Sequence, residues 1–262
     1  MSNKPYLLPE TLDCVVDLLH NQPEALKTCC LVSKAWVPRT RRHLFVDIKF
    51  RTASDLKAWK KAFPDSANSP AYHVRDLFIG CPKFAVAAEA EGGGWTQAFS
   101  GVTRLELDYG QRLLDASPVP LLYKFTSTLK SLRMTPVLLP CPQLFDLIRS
   151  SPLLEDLSLT GQNKSLGNDE NSDSPQAIVP MRSPPLTGTL ELTVLGGMGD
   201  IIGRLLDLPN GLHFKSLSLP WDRKSDLRWI TALVEKCSHT LEVLSVPCVT
   251  DGTSVSHLHP HQ

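Results

Sequence analysis

One short apolar phrase recurs along most of this chain. It reads Val74-x-x-Leu77-x-Ile79, then Val102-x-x-Leu105-x-Leu107, Leu129-x-x-Leu132-x-Met134 and Leu154-x-x-Leu157-x-Leu159. A looser copy carries Leu190-x-Leu192, and Phe214-x-x-Leu217-x-Leu219 and Leu241-x-x-Leu244-x-Val246 complete the set. The middle residues stand at 77, 105, 132, 157, 190, 217 and 244, at intervals of 28, 27, 25, 33, 27 and 27 residues. The two apolar residues of L-x-L point to the same side of a strand. Between copies the chain has roughly twenty residues, enough to cross back to a parallel neighbour. Several of these returns read as helices: Leu144, Leu147 and Ile148 make one apolar face, and Leu227, Ile230, Leu233 and Val234 another. No single turn of such a chain can bury its own face, so the whole stack forms one cooperative core. The fold class is α/β.

A repeat of this length and content resembles the leucine-rich repeat. The resemblance implies a solenoid with a parallel sheet on the concave face and helices outside. The other reading is an ordinary α/β domain whose strands begin with leucine. The match is irregular: Gly110, Val137 and Gln162 stand where the family usually has Asn or Cys, which leaves the curvature open. The 33-residue interval holds an insertion, 163–185, rich in Asn, Ser, Asp and Pro, which is expected to be a mobile loop. A second weakly specified loop is expected at 85–94. No capping helix follows Val246, so the last strand is expected to expose an edge, whether the chain is shorter than its relatives or a partner covers it. Period two sets the outward strand positions: Asp76, Phe78, Arg104, Glu106, Asp108, Arg133, Asp156, Glu191 and Ser218. They are the candidate target-binding residues; the alternative is a solvated strand face with no partner.

Ahead of the repeats, residues 7–50 have a helical texture. Pro9 suits a first helical position and Glu10 its first turn. Leu12, Val15, Val16 and Leu19 follow on one face. Asn21 is placed to cap a second helix, with Pro23 in its first turn and Leu26, Cys29 and Cys30 on one side. Ser33 is placed to cap a third helix that holds Trp36, and Pro38 predicts a kink or a late start there. Three helices this short are marginal alone. They also carry surplus apolar side chains: Leu7, Leu8, Val15, Leu18 and Leu31 do not all fit inside. The surplus either meets a partner or packs on the rest of the chain.

The Leu8-Pro9 opening, the spaced aliphatics, the Leu31-Val32-Ser33-Lys34-Ala35-Trp36 centre and the Arg42-His43-Leu44-Phe45 close resemble an F-box of the fungal type. That is the adaptor-binding module of Skp-cullin-F-box (SCF) ubiquitin ligases. The resemblance implies that Leu8, Pro9, Leu12, Val16, Leu19, Leu26, Leu31, Val32 and Trp36 bind a Skp-type adaptor and, through it, a cullin. Trp36 is open to either the adaptor or the bundle core. The implied division is an F-box domain at 1–50, a connecting helix and cap at 51–73, and a leucine-rich-repeat-like domain at 74–262. The connecting helix is expected at 52–63, with Leu56, Trp59 and Phe63 on one side and Pro64 as its stop.

Composition narrows the partners. The 27 basic and 27 acidic residues cancel, so no broad field draws the chain to nucleic acid or membrane. No run approaches a membrane span, and the first residues lack a secretory apolar region. The seven cysteines show no C-x-x-C and read as buried thiols of an intracellular protein, in the cytoplasm and/or nucleus. Three look-alikes carry less. Gly197, Gly199 and Gly203 with a later Asp222 imitate a dinucleotide fingerprint, but the last glycine is one residue late. His257, His259 and His261 form a frayed tail rather than a metal site. Arg39, Arg41, Arg42 and His43 are a basic cluster of the kind that meets phosphate, or simply the wet side of the third helix. No catalytic constellation, metal site or cofactor is expected. The expected function is a non-catalytic substrate receptor for a protein target. The alternatives are a ligase-independent interaction scaffold and, more distantly, a nucleotide-binding enzyme.

Overall fold

A computed structural model of the chain describes residues 9–80, 97–108, 122–136, 141–162, 186–195, 198–208, 211–220 and 224–247. Three helices come first: α1 (Pro9–Leu18), α2 (Pro23–Val32) and α3 (Val37–Leu44). Strand β1 (Asp47–Phe50) and helix α4 (Ala53–Ala62) follow. Then come β2 (Asp76–Ile79), β3 (Arg104–Asp108), β4 (Ser131–Thr135), α5 (Cys141–Arg149) and β5 (Asp156–Gln162). The remainder is β6 (Thr189–Leu195), α6 (Met198–Leu206), β7 (Ser216–Ser218), α7 (Lys224–Cys237) and β8 (Val243–Ser245). The loops expected at 163–185 and 85–94, and the histidine tail, lie outside the described residues.

The eight strands form one parallel sheet in chain order. Its register is that of the repeat: Leu77, Leu105, Leu132, Leu157, Leu190, Leu217 and Leu244 stand side by side. The fold is therefore α/β with a parallel sheet. One strand was not expected. Ile48 pairs with Leu77, so β1, assigned by sequence to the end of the N-terminal unit, is the first strand of the sheet. Its Asp-Ile-Lys-Phe alternation fits a strand, and Phe45-x-x-Ile48-x-Phe50 is a further copy of the phrase that the sequence set did not include.

The turns repeat as faithfully as the strands. Just before each strand, one carbonyl accepts two N–H groups from the next turn. Val46 receives Arg75 and Asp76; Arg75 receives Thr103 and Arg104; Thr103 receives Lys130 and Ser131; Lys130 receives Glu155 and Asp156. Gly188 and Lys215 continue the series. At the long interval the pattern changes: Glu155 receives only Gly188, and the Asp156 carboxylate takes the Thr189 N–H at 2.7 Å. Threonine hydroxyls add a second tie, Thr128 Oγ1 to Val102 O at 2.7 Å and Thr240 Oγ1 to Phe214 O at 3.1 Å. Backbone groups that would be orphaned in irregular turns are thus paired.

The leucine side of the sheet is buried in one contiguous core with Leu56 of α4, Leu144, Phe145, Leu147 and Ile148 of α5, Met198, Ile201, Ile202 and Leu205 of α6, and Ile230, Leu233 and Cys237 of α7. Leu227 was expected on the α7 apolar face but is exposed; Ile230 and Leu233 carry the packing, with Val234 partly buried against the same core. The core fades at the far end. Leu244 is 47% exposed and Val243 55%, whereas the matching leucines of β2 to β7 are closed off.

At the near end α4 is set by a capping box. Thr52 Oγ1 accepts from the Asp55 N–H, and the Asp55 carboxylate accepts from the Thr52 N–H at 2.8 Å. These bonds hold the Asp55 carboxyl below its ordinary value. Phe45, Phe50, Trp59, Phe63 and Phe99 form a run of edge-on and tilted rings with centroids 4.8–6.2 Å apart. The cluster joins the end of α3 to the first strand.

Local expectations for the N-terminal helices need two corrections. The N-cap of α2 is Gln22, not Asn21, and it makes no side-chain cap bond. Ser33 caps a short 3-10 turn, Lys34–Trp36, by accepting from the Ala35 N–H at 3.2 Å. Helix α3 then starts at Val37 with Pro38 in its first turn, the late start that proline favours. The cysteines also divide. Cys29 and Cys237 are buried and Cys30 partly so, but Cys14 is exposed. Burial pushes the Cys237 thiol up.

Candidate functional site

The three N-terminal helices bury very little. Helices α1 and α2 both pack on α3. Val16, Leu26, Cys29 and Thr40 fill the interior, and the Thr40 hydroxyl donates to Trp36 O at 2.7 Å. The remaining stability is polar. Asp17 of α1 takes Arg39 of α3 in a two-pronged pair, with Arg39 Nε at 2.7 Å from Oδ1. His43 Nε2 lies 2.7 Å from the same Oδ1. Hydrogen bonds from Arg39 and then His43 hold the Asp17 carboxyl well below the usual carboxylate range, and Asp17 in turn raises Arg39. The sequence reading passed over this triad. The available signal was an acid set within an aliphatic helical face, a position that calls for a distant cation.

Leu31 is 88% exposed, Leu18 79% and Val32 66%, with Val15 exposed beside them in sequence. Surplus apolar residues were expected at Val15, Leu18 and Leu31, and the structure leaves all three outside. The sequence-assigned adaptor residues are thereby sorted. Leu31 and Val32 are surface, while Leu12, Leu19 and Trp36 are half-buried. Val16 and Leu26 are corrected: they are closed inside the bundle, because the faces of α1 and α2 that carry them turn toward α3. Leu8 lies outside the described residues, and Pro9 is the first residue of α1. Val15 and Leu18 belong to the exposed set and were not assigned.

The second surface is the open face of the sheet. Asp76, Phe78, Glu106, Asp108, Asp156 and Glu191 are half-buried there, and Arg104 and Arg133 are exposed. Asp47 and Lys49 of β1 extend this face. Arg104 grips Asp76 with both prongs, Nε donating to Oδ1 at 2.5 Å, and its guanidinium is raised above its ordinary value as a result. Arg133 stands 4.0 Å from both Glu106 and Glu191, and Ser158 Oγ donates to Glu191 at 2.7 Å. A shallow depression of about 290 Å³ lies over β1 to β4, with Phe78 among Asp47, Lys49, Asp76, Arg104, Glu106 and Arg133. Paired charges around one aromatic ring suit recognition of a protein surface. No family model matches the chain, and no curated protein or solved structure matches it.

One glycine of the dinucleotide look-alike, Gly199, is explained by packing. A Cβ on Gly199 would come 2.6 Å from Trp229 Nε1, and one on Gly203 would touch the same indole at 3.6 Å. Gly199 thus lets α7 lie against α6, whereas a Cβ at Gly203 would make an ordinary contact; Gly197 and Asp222 lie outside the described residues. Among the described residues no group of three or more His, Cys, Asp or Glu could hold a metal. Among them, too, no helix is long and apolar enough to cross a membrane.

Proposed function

We propose that this chain is a non-catalytic substrate-receptor subunit of an SCF-type ubiquitin ligase. In this reading the N-terminal helices are an F-box that binds a Skp-type adaptor and, through it, a cullin. The strands are degenerate leucine-rich repeats whose open, concave face holds a protein target, in the cytoplasm and/or nucleus. Catalysis is proximity: the receptor places the target near the transferring enzyme and supplies no reacting group. The observation that carries the reading is the exposed aliphatic set Val15, Leu18, Leu31 and Val32. Such a set on a unit this small suits a partner that covers it.

A ligase-independent scaffold is the second reading. It is favoured by the ring cluster of Phe45, Trp59 and Phe63, which would let the helices serve only as a cap on the first strand. Co-expression with a Skp-type adaptor, followed by size-exclusion chromatography, separates the two. The receptor reading expects a stoichiometric complex that is lost in a Leu31→Ser, Val32→Ser variant. The melting temperature of that variant should stay close to the parent's, because both side chains are already in water. A well-behaved monomer with no complex would overturn the receptor reading in favour of the scaffold.

A further inference from the structure

The open face of the sheet is uneven in charge. On β1 to β3 its charges cancel in pairs. Arg104 grips Asp76 across the strands, and Lys49 lies 3.3 Å from Asp47 along β1. Further along they do not cancel. Glu106 and Asp108 of β3, Asp156 of β5 and Glu191 of β6 share the face, and Arg133 of β4 is the one remaining base at its outward positions.

That single guanidinium is divided. Its Nε lies 4.0 Å from Glu106 Oε1 and its Nη2 lies 4.0 Å from Glu191 Oε2, each at the outer limit of an ion pair. Glu191 also accepts from Ser158 Oγ at 2.7 Å, and Asp156 from the Thr189 N–H at 2.7 Å. These donors are neutral: they aim the carboxylates and leave their charge in place. The Glu106, Arg133 and Glu191 side chains all reach solvent.

An aromatic ring adjoins the surplus. Phe78 is the direct cross-strand neighbour of Glu106. Its ring lies over Gly80, where a Cβ would come 2.8 Å from Cε1. Lys49 flanks Phe78 on the other side, held toward Asp47. A ring beside a carboxylate suits a cation, which takes the face of the ring and the charge of the acid together.

Surplus carboxylates repel one another, and a basic partner relieves them. Glu106 and Glu191 stand three strands apart, about 14 Å at the usual spacing of a sheet. One compact cation does not span them, but lysines four residues apart on an extended segment do. The depression beside Phe78 is shallow, about 290 Å³, whereas a small ligand is normally enclosed. We propose that the open face binds a lysine- or arginine-rich segment of the protein target, with one basic side chain at Phe78 and Glu106 and another at Glu191. The proposal rests on the reading of this face as target-binding and uses none of the adaptor residues.

The test is fluorescence anisotropy of the labelled peptide Lys-Gly-Lys-Gly-Lys-Gly-Lys with the full chain. The peptide should bind, and more weakly as salt is raised. Its aspartate counterpart should not bind. Glu106→Gln with Glu191→Gln should weaken binding roughly tenfold. Both glutamates are partly exposed, so the melting temperature should hold. Phe78→Leu should cost a smaller factor, about threefold. Asp207→Asn with Glu235→Gln removes the same charge from exposed residues on the helical side and should leave the affinity unchanged. The site is overturned by no binding, by an undiminished affinity in the double glutamate variant, or by an equal loss in the control pair. Tighter binding of spermine at the same residues would overturn the assignment to a protein segment. Co-expression with the adaptor is scored separately. A complex formed without peptide binding removes this site alone, and peptide binding without a complex supports the site while removing the receptor reading.

Discussion

The N-terminal helices and the sheet solve the same problem in opposite ways. The sheet stacks leucine on leucine, and from β2 to β7 almost nothing apolar on its inner side reaches water. The helices bury only a few side chains, and α1 is tied to α3 by one carboxylate between Arg39 and His43. A stack gains from each added turn because every turn covers its neighbour. A short three-helix unit has no such neighbour, and its surplus aliphatics stay outside. The difference teaches where to look first for partners: the region that leaves its aliphatic side chains in water.

The largest break in this comparison should come from Leu132→Ala. Its side chain is fully buried in the middle of the row, so truncation should cost about 2–5 kcal/mol, read by urea unfolding of the whole chain.

A smaller and local effect is expected from Asp17→Asn. Amide exchange should quicken in α1 while protection in the sheet is unchanged. The pH sign follows from the depressed carboxyl. A group whose folded pKa is lowered contributes stability above its unfolded value, about 3.9 for Asp, and loses it as pH falls through the folded value. Exchange in α1 should therefore begin to rise below about pH 4 in the parent protein. In Asp17→Asn that onset should vanish.

The smallest effect is expected at Leu244→Ala. It is the same substitution one row-end away, but at a residue 47% exposed, so the loss should stay near 0.5 kcal/mol. A loss at Leu244 equal to that at Leu132 would mean that the end of the sheet is covered in solution.

The sheet was largely legible because its signal is periodic and local: each x-L-x-L phrase announces a strand by itself, and seven landed in one register. Strand β1 was missed although Phe45-x-x-Ile48-x-Phe50 fits the phrase, because those residues were absorbed into the close of the N-terminal unit. Candidate surfaces were legible only by count. The surplus of Val15, Leu18 and Leu31 can be read from a short amphipathic helix. Which aliphatics go inside depends on where α3 lies; Val16 and Leu26, on the apolar faces read from spacing but given to the adaptor by the resemblance, are in the core. The pairs Asp17–Arg39 and Asp17–His43 join residues more than twenty positions apart in sequence. Nothing in their local spacing announces them.

The doubly used carbonyls at the head of most strands have a mechanical meaning. They fasten every turn to the one after it and to nothing further along. Tension applied to the two ends of such an assembly runs across the strands and loads one junction at a time. Among the described residues no further turn shields the leucine of β8, so that junction is the first to yield, while the aromatic rings behind α3 secure the opposite end.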